Sequence, residues 1–491
     1  MKKRLLALFL CAAVLAGAFG GCQTANEPAP AASSSQSSSA AISFTDDDGR
    51  QITLDTPCKR IISLYSAHTE NLYSLGAGDT LIGAHSTSVY PPEAAFLPRF
   101  AYDADPEKVI AAEPDCVLIR PFITRKAPDF VQALENAGLT VVSLYPESFE
   151  DFDGYIEKLA MLTGTQETAN EKLAQFHADL EAISAATADI PEKQTVFFES
   201  TEVNLRTVTP NSMAGLAITM AGGENVAAAA QPVNAGSSIA SFGVEKILEH
   251  ADDIDVYVSQ RGAMNAGGNL HSILIRPGFD TIKAVRDGRV YVINEKLISS
   301  PTFRYDKGVR ELARYLYPDR MDRLDAYRTD SPATKRDLAN LLVRAAHLPV
   351  YVPSSSKYYT QKHTGHVYGL FQDVTWQDAD FDFIETAAVS GAVGWEADGG
   401  KQYFRPDAPV TREMLAKAIF ILYEFHAKDQ SAPIGDLAQC EKPNIVQTLV
   451  DNGIFALENG SFEPQKPMTC GKIAEILQQL PPVSRETGID S

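Results

Sequence analysis

Short apolar runs separated by amphipathic stretches begin at Ile42 and set the plan of most of the chain. The runs Ile61-Ile62-Ser63-Leu64, 80–83, Cys116-Val117-Leu118-Ile119 and 140–144 have the length and continuity of strands buried on both faces. Between them, 69–75, 106–112 and 127–137 carry helical spacing. Buried strands alternating with helices predict a parallel sheet covered on both sides. The pattern changes over 149–188, where Leu159, Leu162, Leu173, Phe176 and Leu180 fall near one helical face and Gly164 interrupts. A break at Gly164 and one long helix after it are expected. The first pattern then restarts, with strands at 195–198, 254–259 and 290–293 and helices at 214–220, 244–249 and 305–317. The expected fold class is α/β. Two parallel-sheet lobes, 42–150 and 191–325, are joined by a long rigid helix within 151–190, and an all-α region over 330–485 follows.

The N-terminus reads as an address. Lys2, Lys3 and Arg4 precede an apolar stretch, 5–18, that is too short to span a bilayer comfortably. Phe19-Gly20-Gly21-Cys22 resembles a bacterial lipobox, although leucine is usual where Phe19 stands. That resemblance implies a signal peptide over 1–22 and lipidation of Cys22, which would become the first mature residue. Two or more acyl chains, at about 0.8 kcal/mol per buried methylene, hold a protein on a membrane. Residues 23–41, rich in alanine, serine and proline, read as a tether.

A length of 491 residues calls for more than one core. The formal charge of −20 repels nucleic acid and anionic headgroups, so no nucleic-acid partner is expected, and membrane contact is expected through the lipid alone. Cys58, Cys116, Cys440 and Cys470 remain once Cys11 and Cys22 are assigned, and they are widely spaced. No zinc spacing or disulfide framework is indicated, Cys116 reads as a buried thiol, and the pairing of Cys440 with Cys470 stays open. No metal site and no intrinsic cofactor are expected.

Over 42–321 the residues carry a resemblance to helical-backbone solute-binding proteins of ABC importers, the class that serves iron-siderophores and cobalamin. It rests on Arg60-Ile61-Ile62-Ser63-Leu64, Thr69-Glu70-Asn71-Leu72, Leu75-Gly76-Ala77-Gly78-Asp79 and Val89-Tyr90-Pro91-Pro92-Glu93-Ala94. Pro106-Glu107-Lys108-Val109-Ile110-Ala111-Ala112-Glu113-Pro114-Asp115, Ala221-Gly222-Gly223-Glu224-Asn225-Val226 and Val244-Glu245-Lys246-Ile247-Leu248 follow in order. The resemblance implies a ligand held between the lobes, a small hinge motion, and partners in the permease and ATPase subunits of an importer. It also implies that Glu107 and Glu245, one per lobe, dock into arginine pockets of the permease. A first-turn glutamate also stabilises its helix by about 0.3–1 kcal/mol, which is the plainer reading of both.

Clefts of this kind are lined by residues following the strands. That places Tyr65 and His68 after the first strand, His85, Thr87 and Tyr90 after the second, Tyr102 on the next loop, and Arg120 and Arg125 after 116–119. Glu199, Arg206, Met264 and Asn265 come from the second lobe, and Arg304 and Tyr305 open its last helix. His68 and His85 read equally as helix-cap or loop residues. Arginines suit carboxylates and catecholates, and aromatic rings suit flat ligands. Together they favour a ferric siderophore or haem, with a corrinoid as the alternative cargo.

After Asp330 the signal is internal similarity. Phe404-Arg405-Pro406-Asp407-Ala408-Pro409-Val410-Thr411-Arg412-Glu413 has fainter copies in 462–474 and 332–339. These resemble S-layer homology repeats, best over 365–425, degenerate over 435–480 and partial before that. The resemblance implies a helical bundle that grips secondary cell-wall polysaccharide, with Thr411, Arg412 and Glu413 as the sugar-binding turn and Arg412 free to reach it. Lys335 can replace that arginine only as a point cation, and Cys470 cannot replace it. A spacer role for the repeats is the alternative.

Two rival functions stand beside this one. One is a wall-attached scavenger uncoupled from any permease. The other is a wall-active hydrolase, which no nucleophile elbow, His-Glu-x-x-His motif or carboxylate pair supports. The chain is therefore read as a binding protein rather than an enzyme.

Overall fold

The computed structural model describes residues 41–234, 237–350, 369–481 and 483. The expected signal peptide, Cys22 and the tether up to residue 40 lie outside the described residues. The described residues form one compact unit.

An antiparallel hairpin, β1 (Ile42–Thr45) with β2 (Gln51–Leu54), leads into the first lobe. The lobe's sheet contains β3 (Ile61–Ser63), β4 (Leu81–His85), β5 (Arg99–Phe100), β6 (Cys116–Ile119) and β7 (Thr140–Ser143). Its strands are parallel, in the order β5-β4-β3-β6-β7. The two-residue period of a strand is visible in β6. Cys116 and Leu118 face the core shared with the connecting helix, while Val117 and Ile119 pack outward with Phe130 and Leu134. Both faces are covered, as the unbroken apolar run predicts.

The second lobe repeats the plan with β8 (Thr195–Glu199), β10 (Glu224–Asn225), β12 (Val256–Arg261) and β13 (Val290–Asn294), parallel in the order β10-β8-β12-β13. A small antiparallel pair, β9 (Thr207–Val208) with β11 (Ile239–Ala240), lies beside it. Val196 and Phe198 face the shared core and Phe197 the outer one.

Between the lobes the helix Phe152–Thr163 ends at Gly164, whose φ of 73° is the left-handed cap that glycine adopts freely. The helix Gln166–Thr187 follows, 22 residues and roughly 33 Å long. It buries Ala169, Leu173, Phe176, Leu180 and Ile183. One core runs continuously from Ile61 through this helix to the helix Tyr305–Leu316, which ties the lobes to a common spine.

Residues from Leu324 onward build a separate core around Leu338, Leu342, Phe371, Phe381, Phe404, Leu415, Phe462 and Ile473. Its helices are Lys335–Ala345, Phe381–Val389, Arg412–Leu422, Pro443–Asp451 and Cys470–Leu477. A short hairpin, β14 (Glu396–Asp398) with β15 (Lys401–Tyr403), adds strand to a region expected to be all helical. Thr334, Thr411 and Thr469 each cap a helix through the side-chain oxygen. The segments before these caps close a three-way ring. Ala333 donates to Met468, Met468 to Val410 and Val410 back to Ala333, at 2.9, 2.9 and 3.0 Å. The internal similarity in the sequence is thus an approximate threefold arrangement in space.

This unit is seated on both lobes. Trp376 Nε1 donates to Glu93 Oε1 of the first lobe at 2.9 Å and meets the Tyr90 ring edge-on at 6.0 Å. Lys307 of the second lobe pairs with Asp382, and Val350 donates to Glu311 at 2.8 Å.

Candidate functional site

The carboxyl ends of the first lobe's strands gather an aromatic row. The Arg120 guanidinium, just past β6, lies 4.6 Å from the centre of the Tyr65 ring and 4.9 Å from that of Phe122. Tyr145, past β7, neighbours Tyr65 at 6.1 Å, and Tyr102 neighbours Phe122 at 6.2 Å. His85, at the end of β4, stacks on Tyr102 with centroids 5.8 Å apart. The row Tyr145, Tyr65, Arg120, Phe122, Tyr102, His85 presents a cation among π-faces, with Phe122 exposed. His85 Nδ1 contacts Thr87 Oγ1 at 2.9 Å, so Thr87 orients the ring. Burial and the surrounding cations lower the His85 pKa, although the nearby Asp103 opposes them. Arg99 holds the loop above through the carbonyls of His85, Ser88 and Ala95 at 2.8–2.9 Å.

Facing this row, the segment after β13 brings Lys296, whose Nζ donates to Ser66 Oγ of the first lobe at 3.1 Å. Burial lowers the Lys296 pKa, outweighing the neighbouring Glu295 and Glu70. Among the described residues no carboxylate lies within ion-pair distance of Arg120 or Lys296. Two cations without such partners favour an anionic group on whatever enters. Met264 and Val203, both exposed, add apolar surface from the loops after β12 and β8. Arg206, half-buried, follows the latter loop.

The structure places several residues expected to line the cleft elsewhere. His68 is fully buried; its Nε2 donates to the Ile119 carbonyl at 3.0 Å and its Nδ1 accepts from Tyr155 Oη at 2.8 Å, a tautomer assigned from these partners. Burial pushes its pKa down to about 4, so the ring is neutral. It meets Tyr65 edge-on at 5.0 Å and positions that ring rather than touching a ligand.

Arg304 is also buried. Its Nε and Nη2 hold both Glu70 oxygens at 2.6 Å, and Tyr90 stacks over it at 3.6 Å. It clamps the lobes instead of lining the cleft, beside Asn71, which bonds the Pro301 carbonyl at 2.9 Å and the Phe303 amide at 3.3 Å.

Glu199, fully buried, is consumed within its own lobe by Tyr257 at 2.5 Å, Ser259 at 2.9 Å and Arg276. Asn265 is buried with it, and the Tyr305 hydroxyl donates to the Met213 carbonyl at 2.7 Å. Arg125, exposed in the last turn of Pro121–Lys126, makes no ring contact with the row among the described residues.

Lys296, Phe122 and Tyr145 were not singled out from sequence. The same rule that found Tyr65, namely the first residues past a buried strand, reaches all three. Glu107 and Glu245 are exposed in the first turns of Glu107–Ile110 and Val244–Glu249, one on each lobe.

In the C-terminal unit the expected sugar-binding turn is closed. Arg412 is 7 % exposed; it pairs with Glu458 at 2.9 Å, donates to the Ala456 carbonyl, and lies 5.1 Å from the Phe462 ring centre. It is a tie between repeats, not a free cation. Glu413, also buried, accepts from the Lys442 amide at 2.8 Å and so caps the helix Pro443–Asp451. Lys335, at the matching position, bonds the Gly394 and Phe404 carbonyls at 2.8 and 2.5 Å. Cys440 and Cys470 are buried and unbonded to each other.

Residues 61–297 match the periplasmic binding protein family. The chain is 26% identical over 328 residues, 65% of its length and 99% of the relative's, to an uncharacterized ABC transporter substrate-binding lipoprotein, YvrC, of Bacillus subtilis. It is 25% identical over 270 residues to a vitamin B12-binding protein of Vibrio campbellii, covering 54% of this chain and 92% of that one. It is 27% identical over 311 residues to a cobalamin-binding protein of Halobacterium salinarum, covering 61% and 81%. Among solved structures, the periplasmic vitamin B12 binding protein BtuF of Vibrio cholerae aligns with a TM-score of 0.43 and 23% identity, covering 53% of this chain and 97% of that one. The periplasmic heme-binding protein RhuT of Roseiflexus sp. RS-1 aligns with a TM-score of 0.46 and 22% identity, covering 54% and 99%.

Proposed function

We infer that the two lobes, whose residues 61–297 match the periplasmic binding protein family, serve an ABC importer as its extracytoplasmic substrate-binding protein. The cargo is a flat or macrocyclic metal complex bearing an anionic group: haem, a ferric siderophore or a corrinoid. The observation that carries this is the aromatic row with Arg120 at its centre, set at the carboxyl edge of a parallel sheet and opposed by Lys296. Relatives described as binding vitamin B12 or cobalamin support the same class. The Glu70–Arg304 clamp and the long helix favour a cleft that closes by a small hinge.

In this reading Glu107 and Glu245 contact the permease, Cys22 carries the lipid, and the C-terminal unit associates with the cell wall through its outer surface, with Arg412 holding its repeats together. Quenching of intrinsic fluorescence by haemin, ferric siderophores and cobalamins tests the cargo class. Saturation by one class at sub-micromolar concentration is expected. Failure of all three would overturn the assignment. Retained uptake in a Glu107→Ala, Glu245→Ala double variant would favour the uncoupled scavenger.

A further inference from the structure

Cys58 and Cys116 are 58 positions apart in sequence yet share one core, at 3% and 0% exposure. The segment that carries Cys58 is laid along the start of β6 by a set of fixed bonds. Asp115 accepts the Lys59 and Arg60 amides at 2.7 and 2.9 Å, and the Asp115 amide donates to the Arg60 carbonyl at 2.8 Å. Cys116 itself is the register partner of Ile61, three residues past Cys58. On its other side Cys58 donates its amide to Leu162, in the last turn of Phe152–Thr163, at 2.8 Å. The two thiols thereby lie close enough for each to shift the other's pKa.

We propose that Cys58 and Cys116 are a modification site, closing as a disulfide when the chain folds in the presence of a small-molecule disulfide oxidant. The Cys58 thiolate attacks the oxidant RS–SR, forming a mixed disulfide and releasing one RS⁻. Cys116 then loses its proton and attacks the Cys58 sulfur, releasing the second RS⁻. Two protein thiols are oxidised, one oxidant disulfide is reduced to two thiols, and two protons leave. The contact with Cys116 lowers the pKa of Cys58 and raises that of Cys116, which fits Cys58 as the first nucleophile. The Arg60 carbonyl, two residues past Cys58, accepts from the Asp115 and Cys116 amides at 2.8 and 3.4 Å, so the segments that carry the two cysteines run side by side, as a disulfide between them requires. The bond would staple the lead-in to β3 onto β6, just under the connecting helix. Its occurrence in the cell rests on the extracytoplasmic reading, but its formation does not.

The test refolds the full chain from denaturant with oxidised and reduced glutathione. Free thiols are alkylated under denaturing conditions, and the cysteine peptides are mapped by mass. A crosslinked peptide pair containing Cys58 and Cys116, about 2 Da lighter than the two thiol peptides together, is expected. Cys440 and Cys470 should carry the alkyl label. In a Cys440→Ala, Cys470→Ala variant the crosslink should persist, and reduction should lower its thermal midpoint. Alkylation of both Cys58 and Cys116 after oxidative refolding would overturn the proposal, whatever the cargo titrations give.

Discussion

At the residue scale, His68 and Lys296 make opposite predictions. His68 is a neutral strut between Ile119 and Tyr155, with a folded pKa of about 4 against roughly 6.5 in an unfolded chain. Between those values the unfolded chain binds the extra proton. Its contribution is therefore intact above about pH 6.5 and is lost as pH falls toward 4, by roughly 3 kcal/mol in all. In His68→Gln, unfolding free energies from urea titrations at pH 7 and 4.5 should differ less than in the parent chain, by most of that amount. An equal pH dependence in both would mean that the ring titrates freely.

Lys296 bears on cargo instead. Lys296→Met removes one half of the cation pair, and losing a charged hydrogen bond of about 1.5–3 kcal/mol should weaken binding of whichever of the three complexes saturates the parent chain, roughly ten- to a hundredfold. An unchanged affinity for that complex would take Lys296 out of the site. The two residues also show why the site was only half legible. Polar side chains after a strand can face the cleft or the fold, and the deciding partners are remote: Tyr155 for His68, Glu70 for Arg304, Ser66 for Lys296.

At the element scale, the strand and helix pattern was legible almost throughout, because continuous apolar runs such as 116–119 have few alternatives once both sheet faces are buried. The helix after Gly164 was legible for a different reason, since a 3.6-residue stripe sustained over six turns has no strand equivalent. The hairpin β1–β2 was not separated, because strands of four residues with exposed alternate positions resemble polar loop. The helix Ser66–Ser74 begins before the expected 69, since its N-terminus carries no side-chain cap to mark it.

One element makes a sharp prediction. Gly308, in the helix Tyr305–Leu316, leaves only 2.3 Å between an added Cβ and the Leu297 carbonyl oxygen, and backbone cannot yield as a side chain can. Gly308→Ala should push that helix off the segment Glu295–Ile298, destabilise the protein by about 1–3 kcal/mol, and displace Lys296. A variant with unchanged denaturation midpoint and cargo affinity would show that this contact is loose.

At the scale of the whole molecule, the C-terminal unit is joined to both lobes on the side where they are already clamped to each other. The Glu70–Arg304 pair is buried on both sides, and removing one partner leaves a buried charge that costs about 3–5 kcal/mol, so Glu70→Gln should destabilise strongly. Tyr90 stacks on Arg304, Trp376 meets Tyr90, and Lys307 lies in the same helix as Tyr305 and holds Asp382. A chain of contacts thus runs from one lobe through the C-terminal unit to the other. Any hinge rotation that separates Glu93 from Lys307 must strain Trp376 or Asp382. The unit is therefore placed to brace the lobes against each other.

Trp376→Ala tests this while leaving Glu70, Arg304 and the aromatic row in place. Among the described residues one buried Glu93 oxygen has no hydrogen-bond partner, and burial raises its pKa; removing the indole donor takes away the side-chain partner of the other oxygen. Hydrogen exchange should speed up at 90–97 and, in step, at the start of Tyr305–Leu316, because releasing one end of a brace unloads the other. Cargo affinity should change less than exchange does. If only 90–97 loosens while the second lobe keeps its protection, the lobes are held by the clamp and the helix alone, and the C-terminal unit rides on them without constraining their motion.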